Sequence, residues 1–112
     1  MTKIAILACN KQGKTCAAGG CLDAVKNKTG RFITYTDDIE LVAFMRCNGC
    51  KSVPREDDGI KKKIQSIVSL GAEVLHIGIC TFKMDEGEEC ENITEIAEMF
   101  EEAGLKVLRG TH

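Results

Sequence analysis

The sequence has no tryptophan and a single tyrosine in 112 residues, and its 15 lysines and arginines are outnumbered by 17 aspartates and glutamates. Proteins that bind nucleic acid usually carry a basic surface and aromatic side chains on which bases stack. The sequence provides neither feature. We therefore predict no nucleic-acid partner.

Long apolar runs are also missing. The run Ile4–Ala8 is too short for a signal peptide, and no stretch approaches the roughly 20 apolar residues that span a bilayer. We therefore expect a protein that does not cross a membrane and that works in the reducing cytoplasm. There, an odd number of cysteines, seven in this chain, indicates metal-binding or catalytic thiols rather than a disulfide framework.

The overall composition indicates a folded domain. Hydrophobic residues make up 44% of the chain and charged residues 29%, a balance that favours a soluble globule over disorder. We find no linker, internal repeat or low-complexity segment. We predict a single domain over residues 1–112.

Hydrophobic periodicity alternates between strand and helix along the chain. Near-continuous apolar runs at 3–9, 39–46 and 74–80, and a weaker one at 105–109, are typical of strands buried on both faces. A short helix is predicted from about 21 to 28, and we expect Asn92 and Glu95 to cap the last helix. Two groups of apolar residues recur at helical spacing: Ile60, Ile64, Ile67 and Val68, then Ile93, Ile96, Ala97, Phe100 and Ala103.

Strands that alternate with helices predict a parallel sheet with right-handed crossovers. The expected fold class is therefore α/β, a small three-layer sandwich with a four-stranded parallel sheet in the flavodoxin-like order 2-1-3-4. The segment from 31 to 38 is interpreted as a long connection, with Phe32 and Tyr35 packing on the margin of the sheet.

Cysteines follow the apolar runs. Cys9, Cys47 and Cys80 stand where the first three predicted strands end. Because parallel strands end at the same edge of a sheet, where ligands bind in open α/β folds, we expect these thiols around one opening together with Cys50. Cysteine is also a common core residue, so each of the strand-end cysteines alone has a purely structural alternative.

The segment Cys47-Asn48-Gly49-Cys50 is the sharpest local motif. Two thiolates on one metal lie about 2.3 Å from it, and a tight Cys-x-x-Cys turn allows this. Asn48 and Gly49 tolerate the left-handed conformations that such a turn can need. The same spacing serves a redox dithiol beside a helix amino terminus, but Pro54 and Asp57 predict that the next helix begins several residues later.

An outer set of candidate ligands can reach the same side of the sheet. Cys16 and Cys21 flank a flexible Ala-Ala-Gly-Gly loop, Cys90 precedes the last helix among carboxylates that belong to a solvated acidic stretch, and His112 follows the last strand. His76 lies inside a strand and is interpreted as a core residue. Five nearby cations are predicted to offset thiolate charge: Lys11, Lys14, Arg46, Lys51 and Lys83.

The combined cysteine pattern, with Cys-x-Gly-Cys closing the second strand and Thr111-His112 at the end, resembles the CGGC domain family over essentially the whole chain. That family is described as metal-binding, with zinc suggested from its cysteines and histidines. The chain departs from the pattern at Asn48, where the family name has Gly, and at Lys51-Ser52-Val53, where Pro commonly follows the motif. By position the resemblance implies these site residues: Cys9, Cys16, Cys47, Cys50, Cys80, Cys90 and His112.

The leading hypothesis is a metal-binding protein in which Cys47 and Cys50, joined by Cys9 and Cys80, bind zinc or an iron–sulfur cluster. The alternative is an enzyme, a thiol–disulfide oxidoreductase that uses Cys47 and Cys50 as a reversible dithiol. The sequence leaves open whether the protein is an enzyme.

Overall fold

The computed structural model describes residues 2–9, 17–49, 51, 53–78, 82–83 and 88–110. Short 3₁₀ helices occupy Gly30–Thr34 and Pro54–Glu56. The strands and longer helices follow in the order β1 (Thr2–Ala8), α1 (Gly19–Asn27), β2 (Ile39–Arg46), α2 (Asp58–Ser69), β3 (Val74–Ile77), β4 (Phe82–Lys83), β5 (Glu88–Glu89), α3 (Glu91–Glu102) and β6 (Lys106–Arg109).

The main sheet has four strands in the order β2-β1-β3-β6, and every neighbouring pair is parallel. This confirms the predicted fold class and the order 2-1-3-4. The predicted fourth strand corresponds to β6. The two-residue strands β4 and β5 precede it in the chain, between β3 and α3, and form a separate antiparallel pair. Their shortness explains why hydrophobic periodicity did not predict them.

Alternation along the central strand β1 separates two apolar clusters. Ile4 and Ile6 pack with residues of α1 on one side of the sheet, which we call the α1 face. Ala5 and Leu7 pack with residues of α2 and α3 on the other side, the α2/α3 face. All four side chains are fully buried, so the three predicted layers are present.

The two edge strands differ from the prediction of strands buried on both faces. β1 and β3 are buried, whereas most of β2 and β6 is half-buried or exposed because each has a neighbouring strand on one side only. The pairing of β1 with β2 also shifts at Val42, since Ile4 pairs with Leu41 and Ala5 with Ala43. This bulge changes the alternation of side chains within β2.

The predicted helical stripes are largely confirmed. Val68 is 40% exposed and Ala103 lies at the exposed end of α3, whereas the remaining apolar residues of both stripes are buried. α1 begins at Gly19, two residues before the predicted start at 21. α2 and α3 have 12 residues each, and no helix in the described part of the chain is long and apolar enough to cross a membrane.

The predicted capping pair of α3 is wrong. Cys90 is the N-cap, and its side chain makes no capping hydrogen bond. Asn92 therefore lies within the first turn of α3, where its amide nitrogen donates to the carbonyl oxygen of Gly49 at 3.2 Å. A long-range hydrogen bond has replaced the local one that the sequence suggested.

Phe32 lies deeper in the fold than predicted. It is fully buried at the centre of the α1 face, and its ring centroid lies 4.4 Å from that of His76. Tyr35 is only half-buried, which suits the predicted position near the margin. The 3₁₀ helix at Gly30–Thr34 turns the chain so that Phe32 points into the core.

Candidate metal centre

The ends of the parallel strands are aligned at one edge of the sheet. Ala8 pairs with Arg46 across β1 and β2, and Leu7 pairs with Ile77 across β1 and β3. Backbone hydrogen bonds continue one residue beyond the strands. The nitrogen of Cys47 donates to the carbonyl oxygen of Ala8 at 3.2 Å, and the nitrogen of Gly78 donates to the carbonyl oxygen of Leu7 at 2.8 Å. Residues that directly follow these strands therefore emerge side by side.

Two of the predicted strand-end cysteines lie at this edge. Cys9 and Cys47 each follow one member of the pair formed by Ala8 and Arg46. Cys9 is half-buried, and Cys47 is only 4% exposed. Cys16, Cys50, Cys80 and His112 lie outside the described residues, so their placement stays a prediction.

The sheet separates three of the described cysteines into two groups. Cys47 belongs to the apolar cluster of the α2/α3 face, and Cys90 packs against the same cluster from the start of α3. Cys21 lies on the α1 face, 5% exposed among Ile4, Ile6 and Phe32. The structure thus brings Cys90 to the face that holds Cys47 and places Cys21 on the opposite one.

The described residues alone do not complete a metal site. Among them, no three histidine, cysteine, aspartate or glutamate side chains converge in a way that could hold a metal ion. Nevertheless, the donors at this edge, the thiols of Cys9 and Cys47, are of the soft type that zinc and iron–sulfur clusters prefer. The chemistry of these two donors therefore fits these metals.

Residues of α2 hold the turn that begins at Cys47. The amide nitrogen of Asn48 lies 3.1 and 3.2 Å from the two carboxylate oxygens of Asp57, the N-cap of α2. The Lys63 ammonium donates to the Asn48 amide oxygen at 2.7 Å and to the carbonyl oxygen of Arg46 at 2.8 Å. Lys63 and the N-cap of α2 therefore fix the carbonyl group of Arg46 and the side chain of Asn48, on either side of Cys47.

Residues of α3 hold the next part of the same turn. Asn92 donates to the carbonyl oxygen of Gly49, as described above. Gly49 has a φ of 103°, a conformation that side-chain-bearing residues rarely adopt. Asn48 has no positive φ, so only one of the two residues that tolerate a left-handed conformation adopts it. The turn therefore lies between α2 and α3.

The amino terminus of α2 is nearer to the motif than the sequence suggested. The helix begins at Asp58, several residues after Cys50, as predicted. However, the hydrogen bond between Asn48 and Asp57 places its first turn beside the motif. The Asp57 carboxylate also accepts from the backbone N–H groups of Gly59 at 2.8 Å and Ile60 at 3.2 Å. These hydrogen bonds, that from Asn48 above all, lower the pKa of Asp57.

His76 is a core residue, as predicted. It is fully buried, with Nδ1 3.1 Å from the carbonyl oxygen of Gly110 and Nε2 2.6 Å from the hydroxyl oxygen of Tyr35. A carbonyl oxygen only accepts, so Nδ1 carries the proton of the neutral ring and Nε2 accepts from Tyr35. Burial lowers the pKa of His76 and raises that of Tyr35, which favours this arrangement of protons.

Arg55 organises the acidic side of α3. Its guanidinium contacts Glu102 at 2.8 Å, Glu98 at 3.6 Å and Glu95 at 3.8 Å, and its backbone nitrogen donates to Glu95 at 3.2 Å. The bond to Arg55 lowers the pKa of Glu102 and raises that of Arg55. These carboxylates were predicted to form a solvated face, and they also bind the segment that leads from the motif into α2.

A groove of about 470 Å³ opens between β2 and α2 beside the turn. Residues 43–46 line it from the strand, and Lys62, Lys63, Ser66 and Ile67 line it from the helix. None of these described lining residues is a cysteine.

Sequence reasoning missed the polar residues around the motif. Lys63 is not one of the five cations predicted to lie near the thiols. It directly precedes Ile64, which belongs to the buried stripe of α2. Of those predicted, Arg46 lies with its guanidinium carbon 5.3 Å from the centroid of the Phe44 ring. Lys51 is exposed, and Lys11 and Lys14 lie outside the described residues, as does the side chain of Lys83.

Comparison with known proteins supports the resemblance seen in the sequence. The CGGC domain matches residues 3–112. An uncharacterized protein of Methanocaldococcus jannaschii is 35% identical over 116 residues, which cover 98% of this chain and 86% of the relative. No solved structure matches the chain. The chain therefore belongs to the CGGC domain family.

Proposed function

We propose that this protein binds a metal through cysteine thiolates at the carboxyl-terminal edge of its parallel sheet. The observation that carries the proposal is the alignment of the strand ends, which places Cys9 and Cys47 directly after the paired residues Ala8 and Arg46. In the sequence, Cys50 is three residues after Cys47, and Cys80 is two residues after Gly78, whose backbone nitrogen still bonds to β1. These four cysteines are the proposed ligands.

The metal is zinc, with an iron–sulfur cluster as the alternative. Four thiolates complete a tetrahedral zinc site, which would stabilise the fold, whereas a cluster would supply electron transfer. Cys90 is the next candidate ligand because it packs on the same cluster as Cys47. Cys16 and His112 remain candidates on the basis of the sequence. A reducing cytoplasm, the proposed location, keeps such thiols available.

A thiol–disulfide oxidoreductase is the second candidate, and one observation favours it. The first turn of α2 lies beside Cys47-Asn48-Gly49, and a helix amino terminus can stabilise a nearby thiolate. However, the Asp57 carboxylate already binds the first N–H groups of that helix. Its negative charge opposes a thiolate, so we rank this function second.

The two functions differ in metal content. We expect protein purified without oxygen to contain stoichiometric metal: colourless protein with zinc indicates a zinc site, and iron with visible charge-transfer absorption indicates a cluster. A variant with Cys47→Ser and Cys50→Ser should lose this metal. Reproducibly metal-free wild-type protein that cycles between dithiol and disulfide would reject metal binding in favour of the oxidoreductase.

A further inference from the structure

Asn48 is the residue of the motif that departs from the family name, and its side chain lies between two opposite charges. Its amide nitrogen faces the carboxylate of Asp57, and its amide oxygen faces the ammonium of Lys63. Rotating the amide by half a turn would place oxygen against carboxylate and nitrogen against ammonium. One orientation is therefore strongly favoured, and both hydrogen bonds are of the stronger, charge-assisted kind.

The packing around Asn48 is equally close. Gly59, in the first turn of α2, has no side chain, and a Cβ there would lie 2.8 Å from the Asn48 amide nitrogen. That distance is shorter than ordinary van der Waals contact. The first turn of α2 thus leaves space for this amide and little more.

These contacts restrain the backbone on both sides of Cys47. Lys63 holds the carbonyl group of Arg46 as well as Asn48, and Asn92 holds the carbonyl group of Gly49 from α3. A glycine at position 48 would remove the contacts with α2 and would add backbone freedom. The side chain of Asn48 therefore selects one conformation for a turn that glycine would leave looser.

We propose that Asn48 is a positioning residue that pre-forms the segment Cys47-Asn48-Gly49 and slows the exchange of a metal bound through Cys47. The inference rests on the proposed function. Groups that orient metal ligands typically affect metal affinity by about 10- to 100-fold. Asn48 would act in this way through hydrogen bonds to α2, without touching the metal.

The first test compares metal release from Asn48→Gly, which restores a Cys-Gly-Gly-Cys sequence, with release from wild-type protein. We expect transfer of zinc to an excess of chelator to become about tenfold faster. Asn27→Gly is the matched control, because Asn27 also donates to a carboxylate, that of Asp23 at 2.9 Å, but lies at the end of α1. Its release rate should equal that of the wild type.

Lys63→Met tests the same restraint from the other partner, with Lys62→Met as control. Lys63→Met should speed zinc release, and combining it with Asn48→Gly should give less than the sum of the two effects, because both substitutions remove the contact between Lys63 and Asn48. Fully additive effects, or unchanged release from Asn48→Gly, would overturn the inference.

A second measurement does not require metal. In metal-free protein, alkylation of the buried Cys47 by iodoacetamide requires the turn to open, and peptide mapping reports its rate separately from that of Cys21 on the opposite face. Asn48→Gly should speed alkylation of Cys47 several-fold and leave Cys21 unchanged. Equal rates at Cys47 would overturn the inference even if the wild type binds metal, and a metal-free wild type would reject the proposed function alone.

Discussion

Asn48 donates its side-chain amide to the carboxylate of Asp57, which lies nine residues further along the chain. The same carboxylate caps α2 by accepting from the N–H groups of Gly59 and Ile60. The Cys-x-Gly-Cys turn and the first turn of α2 therefore form one hydrogen-bonded unit, although the intervening residues separate them in the sequence.

The cap makes Asp57 important for stability. Asp57→Ala removes the acceptor for two helix N–H groups and the partner of Asn48, and we expect a clearly lower melting temperature. Asp57→Asn should retain most of the stability, because asparagine is an equally good N-cap residue. Thermal unfolding followed by circular dichroism checks this. Equal melting temperatures for the alanine variant and the wild type would contradict the assignment.

The carboxylate also predicts a dependence on pH. Because the pKa of Asp57 is lowered in the folded protein, its contribution to stability is present above the unfolded value of about 3.9 and is lost as the pH falls through the folded value. The stability difference between wild type and Asp57→Asn should therefore shrink in acid. Denaturant titrations at pH 7 and pH 3 measure it, and a constant difference would argue against the lowered pKa.

Tyr35→Phe should destabilise the fold through His76. The substitution leaves the buried Nε2 of His76 without the hydroxyl that donates to it, at a cost of roughly 1–3 kcal/mol. Urea unfolding at pH 8, where the ring is neutral, gives the value. His76→Asn is a companion variant that keeps a donor near Gly110, and it should also affect stability rather than metal content. Loss of metal from folded His76→Asn would contradict its assignment as a core residue.

His76 predicts a second dependence on pH. Its folded pKa lies below the ordinary value of 6.5, so the unfolded state binds more protons as the pH falls past that value. The stability contributed by the neutral ring is complete above pH 6.5 and decreases as the pH falls toward the folded pKa. Stability curves of wild type and His76→Asn between pH 5 and pH 8 should therefore converge in acid; parallel curves would refute this.

The separation of the cysteines by the sheet predicts different effects of two alanine substitutions. Cys21→Ala should retain the metal and lose about 1 kcal/mol of stability, because it removes a small buried group from the α1 face. Cys90→Ala, on the face that holds Cys47, should weaken metal binding. Metal content and denaturant unfolding measure the two effects. Loss of metal from folded Cys21→Ala would show that this thiol takes part in the site.

The fold was predictable because its signals are local and repeated. Buried strands such as β1 produce continuous apolar runs, and α2 and α3 produce helical stripes, so periodicity located them and their alternation fixed the parallel order. The strand-end position of Cys9 and Cys47 follows from the same signals.

The surroundings of the motif were not predictable, because they depend on pairs that are distant in sequence. Asn92 binds Gly49 from 43 residues away, and Arg55 binds Glu95 from 40 residues away. The sequence predicts only local roles for two of these residues, Asn92 as a helix cap and Glu95 as its capping partner. Local rules gave no reason to prefer the long-range bonds that the packing of α3 against the motif creates.

The central claim is that thiolates at the sheet edge bind a metal. X-ray absorption at the metal edge of anaerobically purified wild-type protein tests it most directly, because sulfur and lighter ligands lie at different distances. We predict sulfur neighbours at about 2.3 Å, and no such shell in the variant carrying Cys47→Ser and Cys50→Ser, because that variant should lose the metal. A shell of nitrogen and oxygen alone at about 2.0–2.1 Å, or the absence of bound metal, would contradict the account.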